Sequence, residues 1–105
     1  MNKLTFSHDY NKLKTDMFTT IRRYDKPYYQ VGEDIEIKSP SEEFVATIIL
    51  KIKLGINEIP DIFLMVDTEK PTIDKAHELL NSFYKKPIQP EEILTILVIK
   101  RWLIS

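Results

Sequence analysis

Thr20 and Arg22 are the residues of this chain whose types and spacing most readily do chemistry. They lie in the run Met17-Phe18-Thr19-Thr20-Ile21-Arg22-Arg23, where β-branched and aromatic side chains dominate up to the arginines and predict a strand. Side chains alternate along a strand, so Phe18, Thr20 and Arg22 share one face and Thr19, Ile21 and Arg23 the other. A hydroxyl and a guanidinium two positions apart on one face can both donate to a single carbonyl or phosphate group. The plain structural reading of the same run is an edge strand with polar residues facing water, its Thr20 hydroxyl bonding across the sheet. Because Arg22 and Arg23 point to opposite faces, only one of them belongs in a common cleft.

The elements that must position these residues are short. Leu4 and Phe6 alternate with Lys3, Thr5 and Ser7 as a first strand. Ser7 or Asp9 is expected to cap a short helix through Tyr10, Leu13 and Lys14. After the Met17 to Arg23 strand, Pro27 and Gly32 mark turns that lead into a strand over Asp34 to Lys38. The longest alternation, Phe44 to Leu54, puts Phe44, Ala46, Ile48, Leu50, Ile52 and Leu54 on one face. A short helical stretch is predicted to open over Asn57-Glu58-Ile59-Pro60-Asp61, with Pro60 in its first turn, and to end near Asp67-Thr68-Glu69. A second helix is predicted from the N-cap Thr72 to about Lys85, and a central strand over Ile93 to Ile104. Five strands with two or three short helices and short connections predict an α+β fold, a small curved sheet or barrel.

Composition narrows the function classes. The 105 residues suffice for one domain, 1-105, that buries roughly two thirds of its unfolded surface. With a formal net charge of −1, no global field draws the chain to nucleic acid, and any basic footprint is local. The absence of cysteine excludes disulfides, thiolate metal sites and cysteine nucleophiles. His8 and His77 lack a carboxylate at ligand spacing, so no metal and no cofactor is expected. No apolar run approaches the roughly 18 residues that cross a bilayer, and the first residues lack the apolar core of a signal peptide. A cytoplasmic protein without a membrane partner is the resulting expectation.

Thr20-Ile21-Arg22, the Gly32 turn into Asp34-Ile35-Glu36-Ile37, and an acidic loop before a helix ending Leu79-Leu80-Asn81-Ser82-Phe83-Tyr84 together resemble the ASCH domain family over nearly the whole chain. The resemblance implies a PUA-like, partly open β-barrel with helices packed around it, and a cleft that binds RNA or modified nucleosides. In that family a G-x-K-x-x-T-x-R motif lines the cleft, and small bacterial members hydrolyse acetylcytidine with a Lys, a Thr and a Glu. Carried over, the motif's threonine is Thr20 and its arginine Arg22, while the glycine position holds Thr15 and the lysine position Met17. The glutamate falls near Glu69, or on Asp67 if a short gap intervenes. From its own surroundings, Asp67-Thr68-Glu69-Lys70 reads equally as an acidic loop before a helix.

Threonine needs a base to become a nucleophile, and a thioether is not one. Lys14 would have to fold back across the strand to substitute. The first expectation is therefore a non-catalytic module that binds RNA or a nucleoside through Thr20, Arg22, Glu69 and Tyr24. In it Arg22 holds a phosphate or carbonyl oxygen and Glu69 reads an exocyclic amine. The alternatives are an amidohydrolase on an acylated nucleoside such as acetylcytidine, with Thr20 and Glu69 catalytic, and a protein-interaction domain. For nucleic acid, Arg22, Arg23, Lys26 and Lys53, with Lys51, Lys100 and Arg101, are expected to form a basic rim interleaved with Tyr24, Tyr28, Tyr29 and Trp102.

Overall fold

The longest strand, β4 (Glu43–Gly55), forms the middle of the sheet. The computed structural model describes residues 1–102. In chain order, β1 is Lys3–Thr5, β2 Met17–Arg22, β3 Asp34–Lys38, α1 Asp61–Thr68, α2 Ile73–Ser82 and β5 Ile93–Arg101. The sheet order is β1-β3-β4-β5-β2, antiparallel throughout except for the parallel β1–β3 pair. The result is a small α+β domain built on a five-stranded mixed sheet with two helices on one side.

The sheet curls without closing into a barrel. β1 and β2 are its two edges, and side chains rather than a ladder of backbone bonds connect them. Phe6, just past β1, meets Phe18 of β2 edge to face at 6.2 Å, and Arg22 Nη2 donates to the Thr5 carbonyl at 3.1 Å. Inside the curl lies one apolar core, with Leu4, Phe18, Ile35, Ile37, Ala46, Ile48, Leu97 and Ile99. The opposite face packs Ile21, Leu94 and Ile96 against Leu64 of α1 and Ala76 and Leu80 of α2. Strands buried on both faces read as apolar runs, which is the pattern of β5.

Four local expectations are corrected. The helix through Tyr10 to Lys14 is a single 3-10 turn, Asn11–Lys14, without a side-chain cap. The caps expected for it are engaged elsewhere: Asp9 accepts from the Ser41 amide and hydroxyl, and the Ser7 hydroxyl pairs with His8. The common face expected for Phe44 to Leu54 is broken by a bulge, because Ile48 faces Ile99 while Leu50 faces Val98. One unpaired residue reverses every side chain beyond it. Ile48 therefore enters the inner core, and Leu54 packs on the helix-covered face.

The second helix starts where expected, with the Lys75 amide donating to the Thr72 hydroxyl at 3.2 Å, but it stops at Ser82. The Asn81 carboxamide there accepts from the Ile88 amide and turns the chain back toward the sheet. The last strand ends at Arg101, and the part of its expected span over 103–104 lies outside the described residues. No helix among the described residues is long and apolar enough to cross a membrane.

Candidate ligand-binding cleft

The seam left open between β1 and β2 holds a hollow of about 250 Å³. Thr5 and Phe6 line it from one edge, Thr20, Ile21 and Arg22 from the other, with Asp67 and Thr68 at the end of α1 and Leu79, Leu80, Phe83 and Tyr84 along and just beyond α2. Tyr10 and Lys12 close it from the 3-10 turn. A strand at the sheet edge and two helix ends thus deliver polar groups to one apolar-walled space, the usual composition of a ligand pocket.

Thr20 and Arg22 both reach this hollow, from the face they share with Phe18. Thr20 is only 3% exposed. Its hydroxyl oxygen accepts from Arg22 Nε at 3.0 Å, which leaves the hydroxyl proton available to a ligand. The guanidinium lies 4.9 Å from the centre of the Phe6 ring. Burial lowers the Arg22 pKa, opposed by Tyr29, Tyr84, Asp67 and Tyr10, yet a guanidinium stays charged.

An amine reaches the same hollow from Lys12. Its Nζ donates to the Asp67 carbonyl at 2.8 Å and to Asp67 Oδ1 at 3.2 Å, and it lies 5.5 Å and 5.3 Å from the Phe6 and Tyr10 ring centres. The carbonyl belongs to the last turn of α1, where the helix dipole favours a cation. Asp67, 5% exposed, also accepts from the Thr19 hydroxyl at 2.5 Å. Burial pushes the Lys12 ammonium below its ordinary pKa, with Asp67 pulling the other way. Burial also raises the Tyr10 phenol.

Met17 is 51% exposed and does not line the hollow, and Lys14 is exposed. Nor does Glu69 line it. Its backbone adopts a left-handed conformation at φ 57° that ends α1, and its carboxylate accepts from the Asn11 and Lys12 amides at 3.0 and 2.9 Å. Glu69 thereby holds the turn that presents Lys12, while Asp67 faces the hollow. Nothing local in the sequence marks Lys12, because its partner lies 55 positions away.

The remaining expected site residues are scattered. Tyr24, 60% exposed, stands edge-on to Tyr84 at 6.4 Å outside the hollow. Arg23 holds Glu92 through two nitrogens and donates to the Lys86 and Pro87 carbonyls, tying down the chain between α2 and β5. Lys51 and Lys53 both grip Asp25 at 2.7 Å. Lys100 pairs with Asp16, and Arg101 pairs with Glu42 and lies 3.9 Å from the Phe44 ring centre. Lys26 lies over Tyr24 and has no acidic partner among the described residues. No group of three or more His, Cys, Asp or Glu among the described residues could hold a metal ion.

Comparison with known proteins finds no family model that matches the chain and no solved structure that matches it. It does find a relative in Methanocaldococcus jannaschii, the uncharacterized protein MJ0364, 41% identical over 93 residues that span 79% of this chain and 80% of the relative. At that identity and coverage, the chain belongs to the same protein family as this archaeal protein.

Proposed function

We propose that the chain is an ASCH-like domain that binds RNA or a modified nucleoside in the hollow between β1 and β2. The carrying observation is the convergence of Lys12, Thr20, Arg22 and Asp67 on one small space. The open seam in a curled five-stranded sheet supports a PUA-like, partly open barrel as the finer description of the fold. A volume of about 250 Å³ sits just under the roughly 300 Å³ at which ligand pockets usually begin, and so favours a single base or nucleoside over a larger ligand. In this reading Arg22 holds a phosphate or carbonyl oxygen and Thr20 bonds beside it. Asp67, rather than Glu69, accepts from an exocyclic amine, and Phe83 and Tyr84 offer apolar surface to the base.

A second reading, hydrolysis of an acylated nucleoside, is favoured by one observation: a partly buried amine with a lowered pKa lines the same hollow as the threonine. A lysine whose neutral form is favoured by burial, relative to one in water, can take the Thr20 proton as the hydroxyl attacks an acyl carbon. The resulting ammonium then protonates the departing amine, and water releases the acyl group from Thr20.

Incubating the protein with acetylcytidine while following both ligand binding and cytidine release separates the two. Binding without release supports the module. Release that falls about a hundredfold or more in both Lys12→Met and Thr20→Ala supports the hydrolase. If acetylcytidine, cytidine and short RNA all fail to bind, the interaction-domain alternative takes precedence.

A further inference from the structure

We infer that the hollow takes a ligand bearing one anionic group, a phosphate ester or a carboxylate, held by Arg22 with Lys12 and Thr20 beside it. This rests on the hollow being the ligand site proposed above and goes further in requiring charge on the ligand. Two cations, Lys12 and Arg22, and one carboxylate, Asp67, line the hollow. The carboxylate is already engaged by Lys12 and by the Thr19 hydroxyl.

Arg22 has no carboxylate within ion-pair distance among the described residues. Its partners are neutral: the Thr20 hydroxyl oxygen on Nε and the Thr5 carbonyl on Nη2. Its Nη1 donors have no partner among the described residues. The other two arginines of the chain are each matched to a glutamate, Arg23 to Glu92 and Arg101 to Glu42. A partly buried charge without a counter-charge is costly, and the planar guanidinium fork is suited to carboxylate and phosphate oxygens. A neutral nucleoside would displace water from Arg22 and leave its charge uncompensated. A ligand with one negative charge balances the hollow.

The test is thermal unfolding of the full chain in sodium phosphate against sodium chloride at matched ionic strength, with sodium acetate in a third arm. Phosphate well above its Kd is expected to raise Tm by about 4 °C or more. The rise should vanish in Arg22→Gln and persist in part in Arg22→Lys. Because Arg22 also bridges the sheet edges, the glutamine variant could fail to fold, so the wild-type chain is titrated with phosphate by amide NMR as well. Shifts concentrated at Lys12, Thr20, Ile21 and Arg22 support the inference, and the absence of both a phosphate-specific Tm rise and these shifts overturns it.

A rise with phosphate alone points to a phosphate ester, and an equal rise with acetate to a carboxylate. Cytidine and cytidine 5′-monophosphate separate this inference from the reading beneath it. Equal affinity for the two overturns the anion requirement and leaves the nucleoside reading intact. A phosphate response to which cytidine adds nothing leaves the anion site standing and removes the nucleoside.

Discussion

Lys12 combines partial burial with charge pairing in one side chain, its ammonium shared with a single carboxylate. Burial lowers its pKa below the 10.5 of an ordinary lysine. Between that lowered value and 10.5 the unfolded chain binds more protons than the folded one, so this group makes stability rise with pH across that window. Tyr10 and Tyr29 act in the opposite sense: burial raises both above 10.0, so their contribution is lost as pH climbs past the unfolded value. Comparing wild type with Lys12→Met cancels Tyr29, and a Tyr10→Phe background removes the titration of Tyr10, over which the Lys12 ammonium lies. The stability of wild type relative to the variant, from urea unfolding at stepped pH, is expected to increase from neutral pH toward 10.5. A gap that stays constant would mean that the Lys12 amine is as well solvated in the folded chain as in the unfolded one.

Each wall of the hollow depends on how one short element ends. α1 stops at Glu69 in a left-handed conformation, and that stop brings Asp67 inward and sends the Glu69 carboxylate to the lysine-bearing turn. α2 is held at its start by Thr72 and contributes Leu79 and Leu80 to the opposite wall. Replacing Thr72 by alanine removes the bond to the Lys75 amide and is expected to cost about 1 kcal/mol of stability in urea unfolding. Thr72 itself does not line the hollow. Ligand affinity is therefore expected to change little as long as the helix remains folded.

Across the whole molecule, charge pairing restricts where the RNA of the proposed reading could be gripped. Lys51, Lys53, Lys100, Arg101 and Arg23 each hold a carboxylate, whereas Lys26 holds none among the described residues. Each phosphate contact on a single strand contributes a slope of about −0.7 in log affinity against log salt. Lys26→Ala is expected to flatten the slope for a short single-stranded RNA by about 0.7, and Lys53→Ala to leave it unchanged, as read by fluorescence anisotropy over a salt series. A comparable loss in both variants would show that the Asp25 pairing gives way to phosphate.

The strands, the Thr72 cap and the placement of Thr20 and Arg22 on one face were determined by the sequence alone. All of them follow from neighbours a few positions apart, where strand alternation and capping act. The bulge after Ile48 is also local, but an unbroken apolar alternation conceals it, and only pairing with β5 reveals it. Tertiary structure alone decided that Lys12 and Asp67 meet at the hollow. Their meeting requires Glu69 to hold the 3-10 turn against the end of α1 across more than fifty residues of chain, and no spacing rule reaches that far.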